Sequence, residues 1–169
     1  MDLFETVVAR RSVRAYLDKP VEADKLQKML DAARLAPSAG NRQAWKFVVV
    51  RDKALRSALA NAADQAFIGK APVVIAGVSL EPDRAMHCGI PAGPVDCAIA
   101  MEHIALAAAA LGLGTCWVGK FDQDACRKIL SVPPTAKIVE LMPLGYPADS
   151  PAPRARKAIS EVVSYDKFS

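Results

Sequence analysis

"DCAIAMEHIALAAAAL", residues 96–111, is the stretch that decides the fold of this chain. It is apolar on almost every side of a helix, and a helix of that kind is buried in a core or in an interface between subunits. Gly112 and Gly114 follow it, and glycines at this place are typical of a helix end. The uncharged run 104–119 is shorter than the about 18 residues that a membrane span requires. We therefore expect a central buried helix that leads into a strand, and no membrane span.

Helices and strands alternate on both sides of this segment. Asp2 and Glu5 have the spacing of a capping box, which predicts a helix that begins at residue 3. Apolar residues at helical spacing, or in short continuous runs, mark the other elements. Predicted helices cover 3–9, 22–35, 53–63 and 123–130, and predicted strands cover 47–50, 73–78, 116–118 and 137–144. No repeat or second domain is visible in the sequence, so we expect one α+β domain over residues 1–169.

The composition excludes several classes of protein. The 169 residues are 52% hydrophobic and 24% charged, with a net charge of +4, which is ordinary for a globular chain. No more than two Lys or Arg residues are consecutive, so we expect no nucleic acid partner. The N-terminal segment has no apolar run of the kind found in signal peptides. Since the four cysteines show no CxxC spacing, we expect reduced thiols and a cytoplasmic protein.

Positive charge and a hydroxyl group are concentrated in "RRSVRAY", residues 10–16. The cluster consists of Arg10, Arg11, Ser12 and Arg14, directly after the first predicted helix. Cations near a helix C-terminus are favoured by the helix dipole. That effect accounts for one or two of the arginines but does not call for the serine.

A second basic cluster lies far away in the sequence. Arg154, Arg156 and Lys157 belong to the Pro-rich stretch 145–157. Guanidinium groups match the geometry of phosphate oxygens, so the two clusters either converge on one phosphate or both belong to the solvated surface. Neither GxGxxG nor GxxxxGK[ST] is present, so a Rossmann fingerprint and a P-loop are excluded as the phosphate site.

Four segments, taken together and in order, resemble the nitroreductase family of FMN flavoproteins. They are RRSVRAY, APSAGNRQAWKFVVV, ALGLGTCWVG, and LMPLGYP followed by PRARK. The resemblance spans nearly the whole chain. It implies an α+β fold with a mixed central β-sheet flanked by helices. It also implies an obligate homodimer that binds FMN tightly at the subunit interface.

The resemblance also implies which residues bind the cofactor. The FMN phosphate and one edge of the ring are held by Arg10, Arg11, Ser12 and Arg14, and Arg156, assisted by Arg154 or Lys157, closes on the same phosphate. The turn that reaches the flavin from the other subunit comprises Pro37, Ser38, Ala39, Gly40 and Asn41, with Gln43 nearby. The segment that passes flavin N5 comprises Gly114, Thr115, Cys116 and Trp117. Larger relatives bind the pyrimidine edge from the stretch 62–72, where this chain has Gln65 as its amide side chain.

The implied activity is that of an FMN-dependent oxidoreductase. Hydride passes from NAD(P)H through flavin N5 to a small electrophilic acceptor such as a nitroaromatic, a quinone or an enone, by a ping-pong mechanism. Because this chemistry belongs to the flavin, no catalytic side chain is expected, and the irregular stretch 81–94 is the predicted substrate wall. The alternatives are flavin-dependent dehalogenation or flavin fragmentation on the same fold, a non-catalytic protein that stores or senses FMN, and a metal or iron–sulfur module that uses the cysteines.

For a few residues the sequence allows both a structural and a functional role. Gly112 and Gly114 either allow a close approach to the flavin or end the helix. His103 is interpreted as a hydrogen-bonded core or interface residue, in preference to a ligand. Cys116 is interpreted as a small buried side chain, with redox activity as the alternative. The spacing of the other His and Cys residues fits no zinc signature, so we expect no metal.

Overall fold

The computed structural model describes residues 1–168 and contains six α-helices and four β-strands in that range. The helices are α1 (Leu3–Ala9), α2 (Ala23–Arg34), α3 (Lys53–Ala63), α4 (Ala66–Lys70), α5 (Ala92–Ala110) and α6 (Gln123–Leu130). The strands are β1 (Trp45–Val50), β2 (Val73–Ser79), β3 (Gly114–Thr115) and β4 (Lys137–Gly145). Short 3₁₀ turns cover Ala39–Asn41 and Ile159–Glu161. The extent of a single domain over 1–169 stays a prediction, and Ser169 lies outside the described residues.

The strands form one sheet in the order β1-β2-β4-β3, with every neighbouring pair antiparallel. Across residues 1–168, parallel pairing is confined to a single bridge between Ser12 and Thr115. That bridge adds the segment after α1 to the edge of the sheet beside β3. The predicted α+β class, with a central sheet flanked by helices, is confirmed, and its mixed character rests on this one bridge.

The sheet separates two hydrophobic cores. On one face, α2 and α5 pack over the sheet around Met29, Met101 and Ile104. On the other face, α3, α4 and α6 pack around Leu59 and Ile68. All of β2 is buried, which explains why its sequence is an unbroken apolar run instead of an alternating one.

The central helix is confirmed, but it begins earlier than predicted. Its first residue is Ala92 instead of Asp96, because Pro91 precedes it and Pro94 lies in the first turn, where the missing N–H of proline removes no helical hydrogen bond. By length and composition α5 could cross a membrane, yet half of its most apolar window is buried within this chain. The helix therefore packs on the core along one side, while Val95 and Ile99 on its other side are exposed within this chain.

Three local predictions differ from the structure. Helix α4 was missed because five residues are too few to show a helical period. The strand predicted at 116–118 lies instead at Gly114–Thr115, and Val118 contacts β4 through an isolated bridge to Leu141. The final segment expected to pack from residue 161 onward is exposed. Its apolar side chains therefore find no core within the described chain.

Candidate functional site

Both basic clusters line one cavity. Its volume is about 730 Å³, and the residues that surround it are Val7, Val8, Arg10, Arg11, Ser12, Arg14, Pro151, Ala152, Pro153, Arg154 and Arg156. None of these lining residues is acidic. Five guanidinium groups and a hydroxyl therefore surround a volume in the usual range for a small-molecule or cofactor site.

Backbone contacts hold residues 10–16 in the cavity wall. After α1 ends, Val13 N–H donates to the carbonyl of Thr115 at 2.8 Å, which lays the segment along β3. Ala148 N–H donates to the carbonyl of Ala15 at 2.9 Å, which brings the start of the Pro-rich stretch to the same place. The convergence of clusters about 140 residues apart in sequence thus follows from pairing at the edge of the sheet.

The arginines of the first cluster have different partners. Arg11 donates to the carbonyls of Val8 and Arg10, so this guanidinium stabilises the C-terminal end of α1, as the helix-dipole interpretation predicted. Arg10 is paired with Glu102 of α5, with 3.6 Å between Nε and Oε1, and its side chain is three-quarters buried. Arg14 is exposed and lies near the ring of Phe67, 5.9 Å from the centroid.

The arginines of the second cluster have no acidic partner among residues 1–168. Arg156 donates weakly to the carbonyls of Arg154 and Ala155, at 3.4 and 3.3 Å. Both side chains belong to an exposed arm, residues 151–168. Positive charge in this cavity is therefore left largely uncompensated, and an anion entering it would meet cations from two sides.

A smaller cavity of about 190 Å³ adjoins the first and shares Arg10, Arg11 and Pro151 with it. Gly112 and Gly114 line it but have separate roles. Gly112, with φ of 74°, is the left-handed residue that ends α5. Gly114 lies in β3, where an added Cβ would stand 2.6 Å from a methyl group of Val13. Gly114 therefore lets residues 10–16 lie close to the sheet.

The turn at residues 37–43 does not line either cavity. Its backbone is left-handed at Gly40, Asn41 and Gln43, with φ of 64°, 52° and 52°. The amide of Ala39 donates to the buried carboxylate of Asp96 at 3.1 Å, which ties the turn to α5. Within one chain, the sequence-predicted site is therefore divided into two parts.

Three further predicted residues also lie away from the cavities. Gln65 precedes α4 and donates to the carbonyl of Lys120 at 3.1 Å. Cys116 is buried, and burial raises the pKa of its thiol, which favours the interpretation as an inert packed side chain. Trp117 follows it and is half exposed. Thr115, by contrast, lines the smaller cavity.

Comparison with known proteins decides the family. The model of the nitroreductase family matches residues 7–73 and 62–146. The chain belongs to the nitroreductase family. The four motifs of the sequence predicted this assignment, and it is confirmed.

Relatives of this chain are named as reductases and dehydrogenases. The NADH dehydrogenase of Thermus thermophilus is 33% identical, with 96% of this chain and 95% of the relative covered. An FMN reductase [NAD(P)H] of Bacillus subtilis is 28% identical, over 92% of this chain and 70% of the relative. The crystal structure of a nitroreductase family protein from Clostridium difficile 630 has a TM-score of 0.89 at 32% identity and covers 99% of this chain and 100% of that one. The chain is therefore an NAD(P)H-dependent oxidoreductase, as its motifs predicted.

Part of the cavity lining was not predicted from the sequence. Val7 and Val8 belong to α1, and Pro151 and Pro153 to the arm. The pairing of Arg10 with Glu102 was also missed, since the two residues are 92 positions apart. Only contact across the fold reveals such partners. His103 matches its interpretation, because its Nδ1 lies 3.0 Å from the carbonyl of Ala32.

No cluster of three or more His, Cys, Asp or Glu side chains that could hold a metal ion is found in residues 1–168. Cys97 is buried in the core, and Cys88 is exposed on the loop before α5.

Changing Gly114 to Ala is expected to destabilise the protein by about 1–3 kcal/mol, the usual cost of overpacking. The new Cβ would collide with Val13 and push residues 10–16 away from β3. Thermal unfolding of the variant measures the loss. The double variant Gly114→Ala with Val13→Ala should recover part of it, because the colliding methyl groups are removed. An undiminished melting temperature in Gly114→Ala would contradict the close packing of this segment.

Proposed function

We propose that this member of the nitroreductase family is a cytoplasmic, homodimeric, NAD(P)H-dependent oxidoreductase with tightly bound FMN. The observation that carries the proposal is the convergence of two basic clusters on one cavity with no acidic residue in its lining. A nucleotide phosphate is a dianion that hydrogen-bonded guanidinium groups bind well. The family and the reductase names of its relatives support the same activity.

The residues of the cavity fit the phosphate end of FMN. Arg10 and Ser12 from one side, and Arg154 and Arg156 from the arm, would hold the phosphate. The apolar side chains of Val7 and Val8 lie in the same wall. Arg11 would contribute mainly through its charge, because its guanidinium is bonded to α1.

FMN, when bound, supplies two-electron hydride chemistry, and the protein contributes binding, orientation and electrostatics. A cation such as Arg14 would stabilise the negative charge that the reduced flavin carries. The backbone at Gly114 and Thr115 lies beside the adjoining cavity, where its close packing against Val13 would keep the wall rigid. Donor and acceptor are proposed to occupy one site in turn, in a ping-pong order, with a nitroaromatic, quinone or enone as acceptor.

The homodimer is supported by apolar surface that this chain leaves exposed. Leu3, Phe4, Val7 and Val8 of α1 are exposed, as are Ile159, Val162, Tyr165 and Phe168 of the arm. Exposed apolar patches of this kind mark interaction surfaces. A second copy of the chain would also supply the turn 37–43, which does not line the arginine cavity of its own chain.

A visible absorption spectrum, recorded without oxygen before and after NADPH is added, tests the proposal. We expect a yellow protein with an oxidised flavin spectrum that bleaches within the mixing time. Bound flavin that neither NADPH nor NADH reduces would contradict the proposed oxidoreductase activity and favour a protein that stores or senses FMN. A colourless protein that also does not bind added FMN would contradict the proposal that FMN is the cofactor. Release of the flavin by acid and its chromatography against FMN and FAD standards identify the nucleotide.

A further inference from the structure

A carboxylate outside the arginine cavity joins two segments of the chain. Glu81 accepts hydrogen bonds from both ends of the Arg42 guanidinium, with 2.9 Å between Nε and Oε2. The same Oε2 lies 3.2 Å from Nε of Arg84. A forked arginine–carboxylate pair fixes orientation as well as distance. Arg42 belongs to the turn 37–43, and Glu81 opens the loop between β2 and α5.

The turn that Arg42 belongs to is held in an unfavourable backbone conformation. Asn41 before it and Gln43 after it are both left-handed, with φ of 52°. Residues other than glycine persist in that region only when their surroundings constrain them. Inside the turn, Ser38 Oγ accepts from the amide of Gln43 at 3.0 Å. From outside the turn, Asp96 of α5 accepts from the amide of Ala39 at 3.1 Å, and the Arg42–Glu81 pair adds a further constraint.

The loop that carries Glu81 is held by backbone hydrogen bonds at both ends. Leu80 N–H donates to the carbonyl of Ala44 at 2.9 Å, next to the turn. Ala92 N–H donates to the carbonyl of Arg84 at 2.8 Å, where the loop enters α5. Glu81 is thus fixed near the base of the loop, and the turn is held by a rigid partner instead of a mobile one.

We propose that Glu81 is a positioning residue, whose carboxylate holds Arg42 and thereby fixes the left-handed turn that presents Asn41 and Gln43 to the flavin. The inference rests on the proposed function, since the turn serves a flavin only if one is bound. It adds to that function a residue in the loop 80–91 that acts through the turn and does not touch the cofactor.

Charge and exposure suit this role. The hydrogen bonds from Arg42 hold the pKa of Glu81 below its usual range, so the carboxylate is ionised at neutral pH. The Glu81 side chain is 35% exposed and that of Arg42 is 49% exposed. Partly exposed ion pairs contribute little to global stability. Variants at these positions should therefore fold, and their effects can be measured in the intact dimer.

The test compares Glu81→Ala with Lys137→Ala. Lys137 of β4 pairs with Asp83 at 3.0 Å, so its removal releases a second tie of the same loop without touching the turn. In Glu81→Ala we expect amide hydrogen exchange over residues 38–43 to accelerate about tenfold or more. We also expect kcat to fall about tenfold with KM for the donor little changed, because a misplaced turn disturbs alignment more than binding. FMN content should stay at the wild-type level because the arginine cavity is intact.

A double-variant cycle separates positioning from a general weakening of the fold. Arg42→Ala should reproduce both effects, and Glu81→Ala with Arg42→Ala should be no worse than either change alone, since the two residues act as one unit. The proposal would be overturned if the losses of kcat in the two single variants added up in the double variant. It would also be overturned if Glu81→Ala and Lys137→Ala had the same exchange rates over residues 38–43 or the same kcat. Faster exchange with an unchanged kcat would also overturn it. Absence of flavin from the wild-type protein is a different result: it contradicts the proposed function, whereas the exchange comparison still tests the pairing.

Discussion

Replacing Arg10 and Ser12 together with alanine is expected to abolish the retention of flavin. Each hydrogen bond to a charged phosphate contributes about 1.5–3 kcal/mol, so the loss of both groups should weaken FMN binding by about a thousandfold. The Arg10 side chain is three-quarters buried and paired with Glu102, and Ser12 is fixed by its bridge to Thr115. Both are therefore pre-organised for binding. The purified double variant should be colourless where the wild-type protein is yellow.

Two single variants serve as controls for this experiment. Arg34→Ala removes an exposed arginine of α2 that pairs with Asp31 at 3.4 Å, and it should leave FMN bound. Arg11→Ala should weaken binding less than Arg10→Ala, because Arg11 is bonded to carbonyls of α1. Circular dichroism and thermal unfolding establish that each variant is folded. Wild-type flavin content in the Arg10 and Ser12 double variant would refute the phosphate assignment.

Changing Glu140 to Gln is expected to stabilise the protein at alkaline pH. Glu140 lies in β4 opposite Gly77, is fully buried, and has no hydrogen-bond partner for either carboxylate oxygen among residues 1–168. Burial, with a smaller contribution from the negative charge of Glu102, raises its pKa to about 9. The folded protein therefore keeps this carboxyl group protonated under conditions in which the unfolded chain ionises it.

The sign of the pH effect follows from that raised pKa. Below the unfolded-state pKa of 4.5, Glu140 is protonated in both states and does not lower the free energy of unfolding. As the pH rises from there toward about 9, only the unfolded chain ionises, and the free energy of unfolding falls. The loss amounts to about 1.4 kcal/mol for each pH unit inside that window. Glutamine does not titrate, so the variant should match the wild type near pH 5 and exceed its melting temperature near pH 8 by on the order of 10 °C.

Thermal unfolding from pH 5 to pH 9 measures the difference, at one protein concentration because the proposed dimer would make the melting temperature depend on concentration. Asp18→Asn, which removes an exposed carboxylate, is the control and should leave the pH profile unchanged. Parallel profiles for the wild type and Glu140→Gln would show that the buried carboxyl group does not control the pH dependence.

Much of the fold was predictable because its signals are local. The capping box at Asp2 and Glu5 forms in the structure and begins α1 as expected. The apolar runs of α5 and β2 also predicted buried elements, because an apolar helix or strand is stable only where other elements cover it. The five residues of α4 and the two of β3 carry no such signal. They form because neighbouring elements supply their contacts.

For the candidate site, the sequence by itself determined the kind of chemistry. The two basic clusters, the serine and the family motifs indicated an anionic nucleotide, because charge and hydrogen-bonding groups are properties of residue types. All five arginines of the two clusters line the cavity, and the tertiary structure decided which of them are already bonded to other groups. The bonding of Arg11 to α1, the pairing of Arg10 with Glu102 and the attachment of Arg42 to Glu81 each join residues through geometry. These partners are distant in sequence and meet only where the edge of the sheet and the start of the β2–α5 loop bring the backbones together. A charge pattern along the chain does not encode the distance between them.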